Sequence, residues 1–103
     1  MEQNNNDYVV VKHEIETAKE KAPNGSSWIE YWQEGTGLDV PNECSCCHKH
    51  TTNENPMVGA HVVLLGDLFK HFITPTCDKC NKQYKGKNAG KTFLVLKTHL
   101  LSV

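Results

Sequence analysis

Arginine is absent from all 103 residues, so each of the eleven basic side chains is lysine. Arginine is the usual reader of guanine edges and the bidentate clamp on phosphate, and a chain without it is poorly equipped for sequence-specific DNA recognition. Lysine still allows non-specific phosphate contact. Long hydrophobic runs are missing too: nothing approaches the ~20 apolar residues of a membrane span. The N-terminal "MEQNNND" has no basic-then-apolar pattern of a secretory leader, so the expectation is a soluble, cytoplasmic protein with a disordered head over residues 1–7. Hydrophobic content is 38%, modest for a single small domain over 8–103, and an extra source of stability is expected.

The net charge of −1 conceals a gradient. Residues 1–43 carry nine acids against three lysines, whereas residues 77–103 carry six lysines against Asp78 alone. The lysines at 79, 82, 85, 87 and 91 read either as a solvated face or as a rim for nucleic acid or an acidic partner.

Cysteine is where this sequence is rich. "ECSCCHKH" (43–50) packs Cys44, Cys46, Cys47, His48 and His50 into eight positions, and "CDKC" adds Cys77 and Cys80. Cys44/Cys47 and Cys77/Cys80 are two C-x-x-C pairs, a spacing that lets two sulfurs converge on one ion while backbone N–H groups face the thiolates. Four thiolates complete a tetrahedral site with sulfur about 2.3 Å from the metal, and one structural Zn²⁺ is the expected ion. Cys46 has the wrong offset and projects away. Ligation through Cys44 and Cys46, or replacement of a thiolate by His48 or His50, is the alternative.

Elsewhere, "YVVVKH" (8–13) is β-prone, "EIETAKEKA" (14–22) is helix-prone, and Pro23-Asn24-Gly25 breaks the chain. "SSWIEYWQEGTG" reads as an amphipathic helix, with Ser27 and Glu30 forming a capping box and Gly35 as terminator. Its Trp28–Trp32 face is a core surface, or else a platform for stacked bases. "GAHVVLLGDLFKHFITPTC" reads as a hairpin about a two-residue Gly66-Asp67 turn. That register pairs His61 with Phe72 and puts His61 and His71 on opposite faces. "KTFLVLKTHLLSV" closes the chain as one strand. "GKNAGKT" (86–92) lacks the P-loop glycine at position 85, and "HEIET" (13–17) lacks the second histidine of a zinc-protease helix.

A cysteine turn, a loop, a hairpin, and a helix carrying the second pair resemble a treble-clef zinc finger over about residues 43–86. The fold expected is therefore α+β: a small zinc-stabilised treble-clef module (zinc knuckle, β-hairpin, short helix) with an N-terminal amphipathic helix and a C-terminal strand. "CSCCHK" resembles its zinc knuckle, with His48 where glycine is common. "GAHVVLLGDLFKHFITPTCDKCNKQYKG" further resembles the core of HNH-type endonucleases. The resemblance implies His61 as general base, a divalent Lewis acid at the scissile phosphate, and Asn81 in the final His/Asn position. Ala60 and Phe72 replace expected polar residues and His71 is one place off, so the likeness is to a degenerate, non-catalytic scaffold. The expected function is a zinc-stabilised binding protein whose lysine-rich C-terminal face contacts nucleic acid or an acidic partner. An HNH-like nuclease and a protein–protein adaptor or inhibitor are the alternatives.

Overall fold

The computed structural model describes residues 7–14, 22–23, 25–83 and 91–103. The expectations for a disordered head over 1–6, for helical propensity over 15–21, for the glycine-lysine loop at 86–90 and for Lys85 and Lys87 lie outside these residues.

The chain is a small α+β domain. In order it forms β1 (Tyr8–His13), α1 (Trp28–Thr36), β2 (Met57–Leu64), β3 (Asp67–Cys77), α2 (Asp78–Gln83), β4 (Thr92–Leu96), a 3₁₀ turn (Lys97–His99) and β5 (Leu101–Ser102). The strands make one antiparallel sheet in the order β4-β1-β2-β3-β5. The β-prone "YVVVKH" thus becomes an interior strand.

The C-terminal segment is not the single strand its composition implies. β4 and β5 lie on opposite edges of the sheet, joined by only residues 97–100. Five flat strands at about 4.8 Å spacing would separate those edges by roughly 19 Å. Four linking residues reach at most ~17 Å even when extended, and three of them are coiled here. The sheet must therefore curl. Its inner face buries Val11, Val62 and Val95 completely or nearly so, packed with Val9, Leu64, Phe72, Phe93 and Leu100.

The other face receives α1. Ser27 caps that helix as the sequence predicts: its Oγ accepts the Glu30 N–H at 3.3 Å, and Glu30 Oε1 accepts the Ser27 N–H at 3.1 Å. Gly35 is not the terminator. The helix runs on to Thr36 and ends at Gly37, whose φ of 74° is the left-handed cap conformation. Two glycines set how closely α1 approaches. A Cβ on Gly59 would sit 2.6 Å from the Trp28 carbonyl carbon, so α1 backbone packs directly on β2; a Cβ on Gly35 would meet the Leu101 side chain at 2.7 Å. Trp32 is fully buried, and its Nε1–H donates to the His99 carbonyl at 2.8 Å. Trp32 is core, while Trp28 and Tyr31 on the same helix are half-buried; burying a side chain the size of Trp32 contributes roughly 1.5–3 kcal/mol or more.

The hairpin register also differs from the expectation. The turn is Leu65-Gly66, with Leu64 opposite Asp67, and residues 68–70 of β3 bulge out before pairing resumes at Val63 and His71. Asp67 Oδ1 accepts the Phe69 N–H at 3.2 Å and fixes the bulge. The net slip is one residue, so His61 pairs with Ile73 and not with Phe72. A one-residue slip exchanges faces. His61 and His71 consequently share the α1 face of the sheet.

Candidate metal centre

Cys44 lies in a tight turn whose ends are tied by a Glu43–His50 bridge, by Cys44 N–H to Lys49 O at 2.9 Å and by His48 N–H to Cys44 O at 2.9 Å. His48 has a φ of 64°, the left-handed region that an L-residue enters at some cost. Glycine would adopt this conformation without that cost. The turn docks on β3 through Ser45 N–H to Pro75 O at 3.4 Å. Proline is tolerated at this strand position because β5 pairs only with Phe72 and Ile73, so the outward side of residue 75 meets the turn and not another strand. Cys77 is the last residue of β3, and Cys80 sits in the first turn of α2.

These elements bring the sulfurs of Cys44, Cys47, Cys77 and Cys80 within 4.8 Å of one another; among the described residues no other group of three or more metal-ligating side chains converges in this way. Cys47 Sγ and Cys77 Sγ are 3.9 Å apart. A tetrahedral Zn²⁺ with sulfur at about 2.3 Å requires S···S edges of about 3.8 Å. The donor set therefore fits zinc in both type and spacing, and the four cysteines can hold a metal ion. Cys46, His48 and His50 stay outside the group. Cys46 packs beside it, while the His48 ring turns to Glu43, with Nδ1 3.5 Å from Oε2.

The surrounding donors suit thiolates. Cys44 Sγ accepts the N–H groups of Cys46 (3.3 Å), Cys47 (3.4 Å) and Cys77 (3.1 Å). Burial pushes the Cys44 thiol above its usual range, opposed by those three amides. Burial acts the same way on Cys77, yet the Cys80 amide, the Asn55 side chain and the neighbouring sulfurs outweigh it and bring this thiol down to about 7. Cys80 is driven upward by burial and then by its sulfur neighbours. Four thiolates this close repel one another, and a divalent cation removes that conflict by displacing the protons.

Asn55 is the participant that sequence reasoning missed. Its Oδ1 accepts the Lys79 N–H at 2.8 Å at the start of α2, and the same side chain hydrogen-bonds to Cys77. Its own backbone is held by a reciprocal pair with Thr52 at 3.1 Å. No spacing rule points to it, because its partners lie more than twenty residues further along.

The remaining predicted residues are scattered. His61 sits midway along β2 with its ring edge-on to Trp28, centroids 4.4 Å apart. Its face-mate His71 places Nδ1 2.9 Å from Glu14 Oε1. Asn81 is half-buried on α2, one position past Cys80. Lys79, Lys82 and Lys91 are exposed, and Lys82 pairs with Asp78 at 2.8 Å. No helix among the described residues is long and apolar enough to cross a membrane.

The fold and the cluster define a small α+β protein with a four-cysteine centre competent to hold a metal ion. No family model, curated protein or solved structure matches the chain.

Proposed function

We propose that the chain is a zinc-stabilised binding module of treble-clef type. In this reading residues 43–50 are the zinc knuckle, β2 and β3 the hairpin and α2 the helix, and the lysines of the C-terminal third contact an anionic partner, either nucleic acid or an acidic protein. The observation that carries it is the convergence of two distant C-x-x-C pairs on one tetrahedron-sized site. Zinc at such sites supplies an apparent ~10–16 kcal/mol in finger peptides, which compares with a total stability of roughly 5–15 kcal/mol for ordinary domains. The ion would thus stand in for a core that this small chain lacks at its knuckle end. Lys79, Lys82 and Lys91, all exposed, supply positive charge to that part of the surface. The test is elemental analysis followed by anion binding: one zinc per chain, and sequence-tolerant binding that weakens steeply with salt and falls on charge reversal at Lys79 and Lys82. A zinc-free folded protein would overturn the reading.

The HNH-like nuclease is the second reading. One observation favours it, the placement of His61 and His71 on the same face of the hairpin. The packing of Trp28 against the His61 ring weighs on the other side. Divalent-dependent plasmid nicking that vanishes in His61→Ala would establish it.

A further inference from the structure

Seven large apolar side chains stand exposed among the described residues, and five of them gather around the β2–β3 turn and the strands beside it. Phe69 is 91% exposed and Leu65 50%, and Tyr8, Val10 and Leu94 also lie open. The register makes neighbours of three: Leu94 pairs with Val10, and Leu65 N–H donates to Val10 O at 3.1 Å. Exposed apolar residues scattered singly are ordinary, whereas a contiguous set marks a contact surface.

Phe69 is a knob. It sits in the bulge at 68–70, where Asp67 Oδ1 accepts its N–H at 3.2 Å and holds the segment off the ladder. A hole lies close by. Val9, Val10, Leu64, Leu65 and Gly66 line a shallow groove of about 480 Å³, ample for a phenyl ring. A Cβ added to Gly66 would meet nothing within 4 Å, so the groove is open at the turn. In the strand order β1-β2-β3 the groove takes the β1 side of the turn and Phe69 the β3 side. A two-fold axis through the turn exchanges the two sides and brings each knob over the other copy's hole. Isologous contacts of this kind close at two subunits.

The charges fit a second copy better than an anionic surface. Asp7 and Asp67 balance Lys70 and Lys97, and none of the four makes an ion pair among the described residues. A balanced set gives a lipid headgroup layer or a nucleic acid no net attraction. The exchange that seats Phe69 also carries its neighbour Lys70 to the β1 side, where Asp7 lies exposed before Tyr8. Opposite charges therefore meet at both ends of the contact.

We propose that two copies of this chain associate about a two-fold axis at the β2–β3 turn, each Phe69 seated in the other copy's groove and each Lys70 beside the other copy's Asp7. The inference does not depend on the binding-module reading, and it leaves the cysteine centre, at the far end of β3, outside the interface. A contact of this extent lies at the small end of the range, so the expected Kd is of order 0.1 mM.

The test is sedimentation equilibrium on the full zinc-loaded chain up to ~1 mM, where a dimer of that affinity predominates. A reversible monomer–dimer equilibrium is expected, and a mixture of isotope-labelled and unlabelled protein should give intermolecular NOEs from the Phe69 ring to the Val9, Val10 and Leu65 methyl groups. Phe69→Ser removes the knob and Gly66→Gln fills the hole. Both positions are exposed, so the fold should survive, and each change should weaken dimerisation at least about tenfold. Asp7→Lys and Lys70→Glu should each weaken it about threefold or more. An equimolar mixture of those two variants should regain wild-type affinity, because the mixed dimer has opposite charges at both ends. A chain that stays monomeric at ~1 mM overturns the proposal. So does a Phe69→Ser variant that dimerises as tightly as wild type, or a mixture no tighter than either charge variant alone. Phe69-dependent binding of a monomeric chain to vesicles of phosphatidylcholine and phosphatidylglycerol would overturn it as well and give the patch to a lipid surface.

Discussion

Cys47 Sγ and Cys77 Sγ lie 3.9 Å apart although thirty positions separate them in the chain. That distance is close to the edge of a zinc–sulfur tetrahedron, about 3.8 Å. Zinc should bind at one ion per chain. Cys77→Ser should lose most of it together with the order of residues 43–50 and α2, whereas Cys46→Ser should keep full zinc content by elemental analysis. Loss of metal in Cys46→Ser would shift the ligand set.

Asn55 links the cysteine centre to α2. Asn55→Asp keeps the acceptor for the Lys79 N–H but replaces a donor to Cys77 with a negative charge. Outer residues of this kind typically change metal affinity about 10–100-fold. Competition with a chromophoric chelator should show weaker zinc binding in Asn55→Asp with the far-UV spectrum of the zinc-loaded protein unchanged.

Gly59 is the point where α1 backbone meets β2. Gly59→Ala would place a methyl group 2.6 Å from the Trp28 carbonyl carbon and 2.8 Å from the Ile29 nitrogen. Backbone cannot swing aside as a side chain can, so the expected loss is about 1–3 kcal/mol of unfolding free energy or more. Denaturant unfolding followed by tryptophan fluorescence measures it.

His48 holds a φ of 64° with an exposed side chain. His48→Gly should stabilise the zinc-loaded protein by up to about 1 kcal/mol, because relief of the left-handed penalty exceeds the added chain entropy. Its zinc content should not change.

His99 titrates below its ordinary 6.5 because burial disfavours the charged ring. The unfolded chain therefore binds more protons than the folded one between the lowered value and 6.5. The neutral ring's contribution is complete above 6.5 and is lost as pH falls below it. His99→Phe keeps a ring against Trp32, 5.8 Å away in the native protein, and removes the titration. The stability difference between wild type and His99→Phe should be flat above neutrality and should grow in favour of the variant as pH falls. Acid loss of metal affects both proteins alike and cancels in that difference.

The sequence by itself determined what depends on neighbours in the chain. The two C-x-x-C pairs, the Ser27–Glu30 capping box, the β-prone character of residues 8–13 and the apolar face of α1 are local patterns, and each was legible because its physics acts within a few residues. Tertiary structure decided what depends on registry between distant segments. A turn at Leu65-Gly66 together with a bulge at residues 68–70, held by the Asp67 carboxylate, moved the hairpin register by a net one residue and put His61 and His71 on one face. The short link at 97–100 split the C-terminal strand between two sheet edges and curled the sheet. Helix α1 ran through Gly35, which packs against the Leu101 side chain, and ended at Gly37 in the left-handed cap conformation. Asn55 reached Cys77 and Lys79 only once the loop before β2 folded against α2. Spacing along a chain limits which side chains can share one ion, but which strand face a residue takes is settled by a one-residue offset, and that offset is set by contacts made elsewhere in the fold.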